Sequence, residues 1–128
     1  MKTITPDRAA ELVKAGATLI DIRETNEYAN ENIPGARHHA LSQIGPGSVL
    51  RAGDTVLIYH CKSGGRTAMN AGRLAAAATG NCEVYVLGGG IEAWKRAGFA
   101  TSARPAREPG ADNGQGGLLQ RITSLFRA

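Results

Sequence analysis

Apolar positions along the first hundred residues alternate between two periods, and the alternation lays out the elements. Thr5-Pro6 reads as an N-cap followed by proline at the first helical position, and Ala9, Leu12 and Val13 then recur at helical spacing until Gly16. Thr18-Leu19-Ile20-Asp21-Ile22 is a short apolar run of the kind a buried parallel strand shows. Glu24 to Asn30 predicts a short polar helix, Ile33-Pro34-Gly35-Ala36 a turn, and Arg37 to Ala40 a short edge strand. Thr55 to His60, β-branched and aromatic, predicts a central strand that ends at Cys61. Arg66 to Ala78 is Ala-rich and predicts one helix, with Met69, Leu74 and Ala77 or Ala78 placed to face a core and Gly80-Asn81 closing it. Glu83 to Leu87 is the next strand; after Gly88-Gly89-Gly90 comes a short helix that carries Ile91, Trp94 and Ala97 and stops at Gly98. Strand, helix, strand in repetition argues for an α/β fold, a mostly parallel sheet with helices on both faces.

The pattern changes after residue 103. Residues 104–117 hold Pro105, Pro109 and scattered charge without apolar periodicity, as a flexible linker does. In residues 118–128, Leu118, Leu119, Ile122, Leu125 and Phe126 fall within about 120° of a helical wheel, which predicts an amphipathic segment. Eleven residues are too few for a stable isolated helix. Such a segment needs a surface, and the domain itself, a partner groove or a membrane surface is the expected contact. The expected organisation is a domain over 1–103, a linker over 104–117 and the amphipathic segment over 118–128.

With 128 residues, 17 of them Gly and only six aromatic, the chain has room for one core built from Val, Ile, Leu and Ala. The net charge of +4 divides evenly, with 11 Lys/Arg against 9 Asp/Glu in residues 1–103 and four against two in 104–128. No window forms the dense basic patch that nucleic-acid binding requires, so nucleic acid is not an expected partner. Cys61 and Cys82 make no disulfide framework, and with His38, His39 and His60 they show no metal-ligand spacing. No metal and no cofactor are expected, and a reducing, cytoplasmic compartment is. Neither a signal peptide nor a membrane-length apolar run is read in the chain.

The candidate chemistry lies at Cys61-Lys62-Ser63-Gly64-Gly65-Arg66. A cysteine at the C-terminal end of a buried parallel strand, followed by a Gly-containing loop and a helix, stands where open α/β sheets bind ligands. Backbone N–H groups of the loop and the first helical turn favour a thiolate there. Lys62 and Arg66 add positive charge, while Gly64 and Gly65 let the loop curl into an anion nest. Taken alone, these residues fit equally well a buried small hydrophobe beside an ordinary turn.

The wider sequence separates the two. Leu19-Ile20-Asp21-Ile22-Arg23-Glu24, Glu27-Tyr28, Ile33-Pro34-Gly35-Ala36, His60-Cys61-Lys62-Ser63-Gly64-Gly65-Arg66-Thr67 and Val86-Leu87-Gly88-Gly89-Gly90-Ile91-Glu92-Ala93-Trp94 resemble, in order, the motifs of the rhodanese family. The resemblance runs over about residues 3 to 100. It implies a rhodanese-like α/β fold with a five-stranded parallel sheet flanked by helices, and a sulfurtransferase activity. It further implies that Cys61 is the nucleophile, taking sulfur from thiosulfate or a similar small anionic donor as a persulfide and passing it to a thiol or cyanide-like acceptor. Lys62, Ser63, Gly64, Gly65 and Arg66 would form the substrate cradle, Lys62 and Arg66 would attract the donor, and Thr67 would support the loop.

Four residues separate Cys61 from Arg66, one fewer than in the cysteine phosphatases that share the fold. A tighter ring suits a sulfur substituent better than a tetrahedral phosphate, so a phosphatase or arsenate-reductase-like enzyme ranks second. A rhodanese-like regulatory module without turnover ranks third, because Cys61 is present. Asn32 stands where the family often has His and Gly88 where it often has an acidic residue; Asn32 is expected to hydrogen-bond the following turn. Asp21, Arg23 and Glu27 are read as a structural polar network, His60 as pointing away from Cys61, and Cys82 as incidental. Arg37, His38 and His39 follow the Pro-Gly turn without an assigned role.

Overall fold

A computed structural model describes residues 1–104 of the chain. Thr5 caps the first helix as its sequence suggests: its hydroxyl accepts from the Arg8 N–H at 3.1 Å, and Pro6 opens α1, Pro6–Lys14. The strand β2, Thr18–Asp21, follows, then α2, Thr25–Asn30, which starts with a reciprocal capping box between Glu24 and Glu27. The short strand β4, Arg37–His38, lies on the sheet edge, and β5, Val56–His60, lies in its middle. The last strand of the main sheet is β6, Glu83–Leu87, and α5, Gly90–Arg96, closes the layer.

Three short strands were not anticipated. Lys2–Ile4 forms β1, pairing parallel with β6, so the sheet has five strands in the order β1-β6-β5-β2-β4, all parallel. Glu31–Asn32 (β3) and Ser102–Ala103 (β7) pair antiparallel in a separate two-stranded ribbon. Arg104, assigned to the linker from sequence, is still held, its N–H donating to the Asn30 carbonyl at 2.7 Å. Beyond it, the expected linker and amphipathic segment lie outside the described residues.

Residues alternate across β5, and the alternation builds two cores. Leu57, Tyr59 and Cys61 face one side with Ile20, Ile22, Leu74, Ala77 and Ala78; Ile58 faces the other with Ala9, Leu87, Ile91 and Trp94. Burial on both faces explains why β5 reads as a continuous apolar run.

The single helix expected over 66–78 is two: α3, Gly65–Met69, and α4, Ala71–Ala77, broken at Asn70. Asn70 leaves helical backbone values, φ −122° and ψ 24°, and both its backbone N–H and its side-chain amide donate to the Arg66 carbonyl, at 3.1 and 2.8 Å. The break resets the helical phase. Leu74, Ala77 and Ala78 are buried as expected, but Met69 is 86% exposed.

Candidate active site

Cys61 ends β5 in the same phase as Leu57 and Tyr59, so its side chain enters the core facing α4, and only 1% of the residue is exposed. Gly64 then turns the chain back through a left-handed conformation, φ +103°, which brings its own N–H onto Cys61 Sγ at 3.2 Å. A hydrogen bond donated to sulfur favours negative charge on it. Gly64 alone makes this step: Gly65 is already the first residue of α3 and does not take a positive φ. Thr67 stands where support was expected. Its hydroxyl donates to the Gly64 carbonyl at 2.9 Å and lies 3.9 Å from Sγ, bracing the loop and touching the sulfur together.

From behind, the start of α5 holds the loop. The N–H groups of Ile91 and Glu92 donate to the carbonyls of Cys61 and Lys62, at 2.9 and 3.1 Å. These contacts bring backbones so close that a Cβ on Gly90 would lie 2.4 Å from the Cys61 oxygen. The triple glycine, in sequence only the step into the last helix, is in part a docking surface for the cysteine loop.

Charge at the loop is paired. Both terminal nitrogens of Arg66 bond Glu27, at 2.7 and 2.9 Å, and the Arg66 guanidinium holds the Glu27 carboxyl down at about 2. Glu27, read from sequence as part of a structural network with Asp21 and Arg23, thus bonds the loop itself. Lys62 reaches Glu92 at 4.0 Å, with its own side chain 61% exposed. Ser63 is exposed at the crest of the loop.

Asp21 and Arg23 do form the buried polar pair expected of them, through Nη2 to Oδ2 at 2.8 Å, with Nε to Oδ1 at 3.1 Å. His60 packs on the face opposite Cys61: its Nε2 has no hydrogen-bond partner and lies 3.7 Å from Asp21, while Nδ1 is 3.2 Å from the Cys61 carbonyl. Burial pushes the His60 imidazole below its ordinary range. Arg37 is spent on Asp54, at 2.9 and 3.0 Å, and His38 stacks on Tyr28 at 4.5 Å. Asn32 does not bond the following turn; its amide donates back to the Tyr28 carbonyl at 3.0 Å. Gly88 closes on β1, where a Cβ would meet the Thr3 methyl at 3.0 Å, which gives this position a packing reason to be glycine. Cys82 donates to the Asp54 carbonyl at 3.2 Å. It precedes β6 whereas Cys61 follows the parallel β5, so the two sulfurs stand at opposite ends of the sheet, some ~17–20 Å apart along the strands. Among the described residues no His/Cys/Asp/Glu cluster is suited to a metal ion, and no helix is long and apolar enough to cross a membrane.

Among the described residues, a cleft and a groove border the fold. A cleft of about 170 Å³ adjoins the loop, with Gly64, Thr67, Ala68, Val86, Gly88 and Gly89 in its wall. A wider apolar groove of about 700 Å³ runs between α1 and α5, and no residue of the cysteine loop lines it.

A buried cysteine at the end of a central parallel strand, inside a glycine loop whose amide meets its sulfur, is the arrangement of a rhodanese-like domain. Residues 5–97 match the family model described as the rhodanese-like domain, and the chain belongs to that family. It is similar to the thiosulfate sulfurtransferase GlpE of Pseudomonas putida strain GB-1, 34% identical over 111 residues that cover 84% of this chain and 96% of the relative. Among solved structures, a thiosulfate sulfurtransferase from Pseudomonas aeruginosa superposes with a TM-score of 0.67 at 28% identity, covering 80% of this chain and 19% of that longer one. A protein from Rhodopseudomonas palustris described as a possible tyrosine phosphatase superposes at 0.62 with 27% identity, over 80% of this chain and 85% of its own. The chain is a rhodanese-type sulfurtransferase.

Proposed function

We propose that Cys61 carries the transferred sulfur as a persulfide. The Cys61 thiolate attacks the outer sulfur of thiosulfate, the S–S bond breaks, and sulfite leaves with the bonding pair, so that the enzyme keeps Cys61–S–S⁻ with no net oxidation. A thiol or cyanide then takes the outer sulfur and returns the thiolate. The observation that carries this reading is the Gly64 N–H on Sγ at 3.2 Å, within a ring only four residues long. That donor stabilises the thiolate before reaction, and sulfur can leave as an anion against it afterwards. Lys62, Ser63, Gly64, Gly65 and Arg66 form the rim that a donor meets, and Thr67 keeps the ring closed. Both cysteines are free thiols, in keeping with a reducing, cytoplasmic setting.

A phosphatase is the second reading, because one structural relative is described as a possible tyrosine phosphatase. Loop length favours sulfur. Intact mass after thiosulfate treatment tests the choice: an added sulfur of about 32 Da that cyanide removes, absent in Cys61→Ser, is the expected result. Turnover of p-nitrophenyl phosphate without any such adduct would replace the sulfur reading with the phosphatase one.

A further inference from the structure

The groove between α1 and α5 is lined mainly by apolar side chains. Ala10 and Val13 of α1, Ile33 after β3, and Trp94 and Phe99 border its volume of about 700 Å³. At roughly 150 Å³ for a benzene-sized group, that is room for four or five apolar side chains. The charged residues of the lining are Asp7, Glu11 and Lys14, all on α1, so two acidic groups stand against one basic. An open apolar channel of this kind takes the apolar face of a helix.

The chain carries such a face. Leu118, Ile122 and Leu125 stand at i, i+4 and i+7, and Leu119 and Phe126 complete five apolar positions on one side of a helical wheel. The charges of residues 118–128 are Arg121 and Arg127, with no acidic residue among them. Arg121 falls about 40° beyond Leu125, at the edge of the apolar face. Five apolar side chains thus match the room available, and two cations match a lining of net negative charge.

The fold also delivers the chain beside the groove. Phe99 and Ala100 line it, and Ser102–Ala103 then pairs with Glu31–Asn32, whose next residue, Ile33, lines it too. Arg104 is four residues past Ala100, at most about 14 Å along an extended chain. Residues 105–117 separate it from Leu118, and a flexible chain of that length spans about 20 Å root-mean-square, more than the return requires.

We propose that residues 118–128 seat as a helix in this groove, with their apolar face against Val13, Trp94 and Phe99 and their arginines toward Asp7 and Glu11. Too short to hold a helix alone, the segment gains from the groove the surface it needs. Tethering makes weak docking sufficient: against an effective concentration on the order of 1 mM, a dissociation constant of about 0.1 mM favours the folded domain about tenfold.

The test uses the full chain with p-benzoylphenylalanine in place of Phe126, irradiated at micromolar concentration and mapped by tandem mass spectrometry. The expected product is a monomer in which the segment is joined to peptides holding residues 7–14 or 94–100. Joining only between copies assigns the face to a second copy, and joining only to lipid when phosphatidylglycerol vesicles are present assigns the segment to a membrane surface. Joining elsewhere in the chain, or nowhere, denies the groove this occupant; each of these results overturns the proposal. Urea unfolding of two full-chain variants reads the same docking independently. Ile122→Asp, on the apolar face, is expected to raise the unfolding constant about tenfold and to abolish the cross-link. Ser124→Asp adds the same charge on the opposite side of the wheel and should leave both unchanged. Equal effects from the two variants, or none from Ile122→Asp, overturn it as well.

Discussion

A methyl group on Gly90 has nowhere to go. It would lie 2.4 and 2.5 Å from the Cys61 and Lys62 carbonyls, and the residue holds φ +61°. Gly90→Ala must therefore push the reactive loop off the start of α5. The expected cost is about 2–4 kcal/mol in urea unfolding, together with loss of sulfur loading. Gly72→Ala is the counterpart: nothing stands within 4 Å of its added Cβ, it sits inside α4, and it should stabilise by about 0.5–1 kcal/mol. Equal effects from the two would show that glycine content, not docking, governs this region. At this scale, what is contiguous was legible. Cys61 to Thr67 form one stretch whose residue types already imply an anion-handling loop. Glu27 lies 39 residues from Arg66, and no local pattern marks it as that residue's partner. Gly90 is in sequence no more than a glycine before a short helix, since a close backbone approach leaves no trace there beyond the missing side chain.

Elements with their own signals came through, and those made by pairing did not. α1 carries cap, proline, apolar spacing and a stop; β5 and β6 carry β-branched residues, β5 almost wholly buried and β6 half-buried. By contrast β1, β3 and β7 are only three, two and two residues long, and each exists because a partner strand offers hydrogen bonds. The division of the helix at Asn70 escaped for a related reason: alanine-rich sequence favours helix on both sides, and the interruption is confined to Asn70, whose backbone leaves helical values (φ −122°, ψ 24°). A signal visible in sequence should also be measurable alone. Thr5→Ala removes the side-chain acceptor for the Arg8 N–H and should cost about 1 kcal/mol, with Thr5→Ser close to wild type. Thermal melts in which Ala and Ser behave alike would deny the cap its role.

Across the whole molecule, the polar groups that fasten these elements give stability a pH profile with two steps. His60 is buried without a partner for Nε2; the charged and titratable groups nearest to it are Asp21 and Arg23, which bond each other. Burial holds its folded pKa below the ordinary 6.5, and His39 is lowered too by burial and by Arg51 and Arg37. The unfolded chain therefore binds protons that the native state refuses, so this contribution is complete above pH 6.5 and is lost as pH falls through it. The slope is at most about 1.4 kcal/mol per pH unit for each histidine. The second step lies lower. Arg66 holds Glu27 at about 2 against an ordinary 4.5, while Thr101 and Lys95 lower Glu31 and Arg37 lowers Asp54. Depressed carboxyl values stabilise above the unfolded value, and this part fades between pH 4.5 and about 2. Urea midpoints should thus be flat above neutrality, fall once from about pH 6.5 and again below about 4.5. His60→Gln separates the steps, since it should shrink the upper one to the part that His39 supplies and leave the lower one in place. A midpoint that stays constant from pH 8 to 5 in the wild type, or an upper step equally large in the variant, would mean that the buried imidazole beneath the reactive loop is not what couples this fold to protons.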